Sequence, residues 1–97
     1  SGVTPPPTPV TDATITNYPN PFSTSTTLKF KTDGGYTLIQ VFDTLGRLVK
    51  VPVDTNYPVA GIYTVNLDTN ALAPGVYYAR LQNGVNQYVR AMLKVKS

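Results

Sequence analysis

From Thr14 onward, apolar residues recur at every second position in short bursts, each closed by a cluster of Gly, Asn, Asp or Pro, and no segment sustains a 3.6-residue period. A period of two places alternate side chains on opposite faces of an extended strand, so the pattern specifies an all-β domain. Thr26 to Lys31 directs Leu28 and Phe30 inward and Thr27, Lys29 and Lys31 outward, and Asp33-Gly34-Gly35 supplies the positive φ of a tight turn. Tyr36 to Asp43 sets Thr37, Ile39 and Val41 on one face and Leu38, Gln40 and Phe42 on the other, the mark of a central strand covered in part on both sides. Asp43 to Arg47 turns the chain back, with Asp43 capping backbone N–H groups and Gly46 taking a left-handed conformation. Leu48 to Val53 follows alongside, and Pro52, which has no N–H to offer a neighbour, assigns that strand to an edge. A loop over 54–61 leads into Ile62 to Leu67, where Tyr63, Val65 and Leu67 share a face. Leu72 plugs the next connection, Pro74-Gly75 opens Val76 to Gln82, and Asn83-Gly84 closes a hairpin with Asn86 to Val95.

The run Asn17-Tyr18-Pro19-Asn20-Pro21-Phe22 stands before these strands. Each proline fixes φ, lacks an N–H and pushes the preceding residue toward extended backbone, so the run must bend while staying nearly extended. On residue chemistry alone it reads as a rigid edge lead-in, in which Asn20 bonds nearby backbone and Tyr18 and Phe22 anchor the two ends of the bend in the core. Counting Tyr18 to Phe22 as a strand brings the total to seven. That number and spacing predict an immunoglobulin-like antiparallel β-sandwich over residues 14–97. A barrel is disfavoured because strands bearing Pro suit open edges. Residues 1–13 are dominated by Pro and Thr with almost nothing to bury, and read as an extended linker to something larger upstream.

Composition excludes several chemistries. A chain of 97 residues forms one modest core and buries about 60–65% of its extended surface. With no Cys, His, Glu or Trp, it has neither disulfides nor thiolate metal sites, and acid–base catalysis loses its commonest side chains. The carboxylates are Asp12, Asp33, Asp43, Asp54 and Asp68, each at a strand edge where Asp caps turns, without the Asp-x-Asp spacing of a calcium loop. No cofactor is implied. No apolar run is long enough for a transmembrane helix, and no basic-then-apolar start marks a signal peptide. The net charge of +3 comes from cations scattered through strands, a poor match to nucleic-acid binding. Arg90, Lys94 and Lys96 share one face of the last strand by alternation. The expectation is a solvated outer face, with a basic surface for an acidic partner such as an anionic glycolipid as the alternative.

Taken in order, the motifs resemble the type A C-terminal sorting domain of the type IX secretion system. The resemblance is carried by Tyr18-Pro19-Asn20-Pro21-Phe22, by Thr27-Leu28-Lys29-Phe30, by Val41-Phe42-Asp43-Thr44-Leu45-Gly46-Arg47, by Leu72-Ala73-Pro74-Gly75-Val76-Tyr77, and by the closing Arg90-Ala91-Met92-Leu93-Lys94-Val95-Lys96. The single extra Ser97 is a departure. The resemblance implies a noncatalytic address label, recognised by the outer-membrane translocon and sortase-like components and covalently joined to an upstream passenger. The label would be cleaved in the linker near Val10, Thr11, Asp12 and Ala13. The passenger would pass through the periplasm to the outer membrane, cell surface or exterior, where it is released or attached to anionic lipopolysaccharide. Recognition is carried over to Tyr18, Pro19, Asn20, Pro21, Phe22, Asp43, Gly46, Arg47, Gly75, Tyr77, Lys94, Val95 and Lys96. Of these, Gly46 and Gly75 also serve backbone geometry, and Tyr18, Phe22 and Tyr77 also serve packing.

Two other readings share the sandwich. One is a carbohydrate-binding accessory module stacking sugars on Tyr36, Tyr57, Tyr78 and Tyr88; the other is a structural fibronectin-like spacer of a secreted enzyme. An enzyme is the least supported class, since no nucleophile–base spacing is present.

Overall fold

The computed structural model describes residues 14–96, and within them it is a sandwich of seven antiparallel strands. In chain order they are β1 (Ile15–Tyr18), β2 (Ser25–Thr32), β3 (Gly35–Phe42), β4 (Leu48–Tyr57), β5 (Gly61–Asp68), β6 (Gly75–Asn83) and β7 (Asn86–Lys94). One sheet has the order β1-β2-β5, the other β4-β3-β6-β7. Because β3 lies between β4 and β6, the strand with bulky residues on both faces is central, as the pattern predicts.

The core lies between the sheets. Leu28 and Phe30 from β2, Ile39 and Val41 from β3, Ala79 and Leu81 from β6 and Met92 from β7 close over Ile15 and Phe22. Each strand contributes alternate residues, so the core is the sum of the period-two pattern. Tyr57 and Tyr63 pack at 4.4 Å between ring centres, and both meet Phe30 at one end of it.

Four expectations need correction. The first strand is Ile15–Tyr18, pairing with Leu28 and Phe30 through Asn17 and Ile15, while Phe22 makes only an isolated parallel bridge to Lys94. Tyr18 is 82% exposed and anchors nothing, whereas Phe22 is buried. β4 runs on through Asp54, Thr55 and Asn56 to Tyr57, which pairs with Gly35, so the loop to β5 is confined to 58–60. It is an edge strand as Pro52 requires, and its register shifts opposite Ile39 to Val41, next to Pro52, where the missing N–H is accommodated by a bulge. The last hairpin turns on Gly84-Val85, with Asn83 and Asn86 paired; only Gly84 has positive φ, as a two-residue loop with Gly first requires.

Pairing fixes which connections share a pole. Phe42 stands opposite Tyr78, and Gly75 opposite Lys94. The β3–β4 turn, the start of β6 and the end of β7 therefore lie at one end of the four-stranded sheet. At the other end lie the β2–β3 turn, the β6–β7 hairpin and Thr14, whose carbonyl accepts from the Lys31 amide. Strands of eight or nine residues separate the two poles by about 25–30 Å.

Candidate functional site

The Pro-Asn-Pro run transfers the chain from one sheet to the other. β1 hydrogen-bonds to β2, and after the bend Phe22 pairs with β7; both X-Pro bonds, Tyr18-Pro19 and Asn20-Pro21, are cis. The Phe22 amide donates to the Leu93 carbonyl at 3.0 Å, and the Val95 amide donates to the Phe22 carbonyl at 2.8 Å. Asn20 lengthens this pairing with its side chain. Its Oδ1 accepts from the Leu93 amide at 3.1 Å and its Nδ2 donates to the Ala91 carbonyl at 3.5 Å, so the amide occupies a free strand edge much as a backbone peptide would. An Asn between two prolines suits that task, because neither neighbour has an N–H to compete for the same carbonyls.

A buried polar cluster holds the bend from below. Asn17 is 6% exposed. Its Oδ1 accepts from Arg90 Nε at 3.1 Å, and its Nδ2 donates to Thr26 Oγ1 at 3.2 Å and to the Pro19 carbonyl at 3.4 Å. Thr26 Oγ1 donates in turn to the Pro19 carbonyl at 2.8 Å. One amide thereby ties β1, β2 and β7 to the first proline. Lys94, also buried, donates its Nζ to the Ser23 carbonyl. This corrects the expected solvated cationic face: Arg90, Met92 and Lys94 point inward, and of the three cations assigned to that face only Lys96 is exposed. Lys29 and Lys31 do face solvent as expected.

The β3–β4 turn is closed by one carboxylate. Asp43 Oδ1 accepts from the Leu45 and Arg47 amides, each at 2.9 Å, and Oδ2 accepts from Arg47 Nε at 2.8 Å. Gly46 has φ of +80°, which lets its amide reach the Asp43 carbonyl at 3.0 Å. These donors, the Arg47 amide foremost, hold the Asp43 carboxyl below its ordinary range against a smaller opposing effect of desolvation. The Arg47 side chain remains 72% exposed.

Gly75 and Tyr77 shape the same pole. Gly75 has φ of +149°, a conformation that residues with a Cβ rarely adopt. Tyr77 is buried with its hydroxyl donating to the Ala73 carbonyl at 2.5 Å, four residues back. A tyrosine near the start of a strand bonding backward into the preceding connection is the tyrosine corner of immunoglobulin-like sandwiches.

The motif residues thus divide. Phe22 is brought into direct contact with Lys94 and Val95, and Asn20 with the backbone of β7 just before them. Asp43, Gly46 and Arg47 share their pole through sheet register, with the Asp43 bonds closed inside their own turn. Tyr18, Pro19, Asn20, Pro21, Gly46, Arg47, Val95 and Lys96 face solvent, while Phe22, Tyr77 and Lys94 are interior. Val10, Thr11, Asp12 and Ala13 lie outside the described residues. Asn17, Ser23, Thr26 and Arg90 complete the site and are absent from the motif-derived set. The tyrosines named for sugar stacking do not converge: Tyr57 packs against Tyr63, and Tyr36 and Tyr78 stand near opposite ends of the four-stranded sheet.

The molecule is therefore a small β-sandwich with its first strand crossed over onto its last through a Pro-Asn-Pro bend. It belongs to the secretion system C-terminal sorting domain family, whose sequence profile matches residues 16–95. The domain is a C-terminal sorting signal of type IX secretion, which directs export across the outer membrane, and domains of this family are noncatalytic. No curated protein matches the chain.

Proposed function

We propose that the outer-membrane translocon reads the pole formed by Tyr18 to Phe22, the Asp43–Arg47 turn, Gly75 and Tyr77, and the Lys94–Lys96 end of the chain. Solvent-facing Tyr18, Pro19, Asn20, Pro21, Arg47, Val95 and Lys96 make the contacts. Phe22, Asp43, Gly46, Gly75, Tyr77 and Lys94 hold those contacts in place. The observation that carries this reading is the pinning of Asn20 to Leu93, 73 residues apart, which joins the first and last family motifs into one rigid surface. A surface that exists only in the folded domain lets a receptor test for completed folding.

The other pole suits the passenger. Thr14 lies toward it, so a linker over 1–13 leaves the sandwich on the far side of the four-residue β1, about 13 Å from Tyr18. Cleavage over Val10 to Ala13 by a sortase-like component then releases the domain of residues 14–97 without disturbing the bound pole. The passenger, after transit through the periplasm, is released or joined to anionic lipopolysaccharide at the surface. In a host bearing the secretion system, a reporter fused ahead of the full chain is expected at the surface or in the medium. The same fusion lacking Lys94 to Ser97 is expected inside. Equal export of both would remove the reading.

A further inference from the structure

The two outer faces of the sandwich differ in chemistry. On the three-stranded sheet the outward residues are mostly polar, among them Thr16, Thr27, Lys29, Lys31, Thr64 and Asn66, with Tyr18 and Ile62 standing singly at opposite ends. The four-stranded sheet presents the reverse beside the motif pole. Register aligns Leu48 with Phe42, Phe42 with Tyr78, and Val76 with Leu93, so these five side chains form one outward patch. Leu48, Val76, Tyr78 and Leu93 are 51, 38, 39 and 41% exposed. A contiguous apolar patch of this kind marks an interface more often than a free surface.

Charge narrows the partner. Arg80 lies on this face with its guanidinium carbon 5.1 Å from the Phe42 ring centre. Its Nη2 donates to Gln40 Oε1 at 2.7 Å, and its Nε is buried without a hydrogen-bond partner, so any carboxylate would meet the guanidinium at its outer end. Exposed Arg47 immediately precedes Leu48. The carboxylates of this sheet among the described residues are already engaged. Asp43 holds Arg47, and Asp54, near the far end of β4, accepts the Tyr36 hydroxyl at 2.6 Å.

We propose that this patch docks a protein of the sorting machinery whose contact surface is apolar and carries a carboxylate that Arg80 receives. The proposal rests on the reading that the machinery recognises the folded domain. A second copy of the chain fits less well, because face-to-face pairing would place the Arg80 of both copies in one interface, while the nearest carboxylate, Asp43, is already held by Arg47. A bilayer surface also fits less well, because its binding needs apolar groups sunk past the headgroups. Here they lie on a sheet face, about half exposed or less.

The test places a photo-crosslinking residue at position 78 of the reporter fusion, or at Thr64 on the opposite outer face, in secreting cells. Position 78 is expected to crosslink to an envelope protein through a segment that mass spectrometry shows to hold apolar residues and Asp or Glu. That product should fall about tenfold with Arg80→Glu and persist with Arg80→Lys, as expected for a desolvated charge pair. A self-crosslink, a lipid adduct, no product, or equal yield from position 64 overturns the proposal. Independently, the Val76→Ser/Leu93→Ser double variant, confirmed folded by its melting curve, should lower export about tenfold. Full export of that variant refutes the docking patch while leaving the sorting pole intact. Failure of the unaltered fusion to leave the cell overturns both.

Discussion

Replacing Asn17 by alanine removes the one side chain that links β1, β2 and β7 beneath the Pro-Asn-Pro bend. The substitution deletes the bond from Arg90 Nε at 3.1 Å, the bond to Thr26 Oγ1 at 3.2 Å and the longer bond to the Pro19 carbonyl at 3.4 Å. The first involves a charged donor left half-buried without its acceptor, and costs about 1.5–3 kcal/mol; the second is neutral and contributes about 1 kcal/mol. The third is too long to add much, and the Pro19 carbonyl keeps Thr26 as a donor. The sum is about 2.5–4 kcal/mol, against a total stability of about 5–15 kcal/mol for a domain of this size. At about 4–8 °C per kcal/mol the melting temperature should fall by about 10–30 °C. Urea unfolding of the purified chain measures it, with hydrogen exchange at the Phe22 and Val95 amides reporting the bend itself. Asn17→Asp keeps an acceptor for Arg90 and loses the Thr26 donor, so it should cost less than alanine at neutral pH. An alanine variant within about 0.5 kcal/mol of the parent, the range of an ordinary surface substitution, would refute the assignment of Asn17 as the keystone of this pole.

Two further outcomes follow from the same geometry. The Asp43 carboxyl titrates lower in the folded state than in the unfolded chain. Its stabilisation is therefore present above about pH 4, the unfolded carboxylate range, and lost as pH falls through the lower folded value. The stability difference between the parent and Asp43→Asn should shrink steadily on acidification below that point, and a pH-independent difference would contradict it. Tyr77→Phe keeps the packing and removes the hydroxyl bond to the Ala73 carbonyl, and should cost about 1–2 kcal/mol in chemical denaturation; no measurable change would show that the tyrosine corner is idle.

Much of this architecture is legible in the sequence because most strands have one face that admits a single reading. Leu28 and Phe30 against Lys29 and Lys31 can point only one way, and Gly34, Gly35 and Gly46 mark turns that need positive φ. The last strand is different: Met92 on one face and Leu93 on the other are both apolar, and cations among the first set suggest solvent. Burial of Lys94 depends on the Ser23 carbonyl, and orientation of Arg90 on Asn17, contacts between the two ends of the chain that no local pattern encodes. Asp54, Thr55 and Asn56 read as loop because they are polar, yet on an edge strand polar residues are tolerated and pairing with β3 extends the strand. Asn17 and Asn20 both carry turn chemistry in sequence. Only the crossover between sheets assigns one to a buried network and the other to the edge of β7.

Whether the solvent-facing residues of the motif pole are read during sorting is decided by measuring export with stability held constant. Tyr18→Ser combined with Arg47→Ser alters side chains that are 82% and 72% exposed, and should leave the fold within about 1 kcal/mol of the parent. Val85→Ser changes a still more exposed residue, 97%, at the opposite pole. The pole variant is expected to melt like the parent while its reporter export falls about tenfold, equivalent to about 1.4 kcal/mol of lost recognition, and Val85→Ser is expected to export normally. Undiminished export of the folded Tyr18→Ser/Arg47→Ser variant would contradict recognition through that pole.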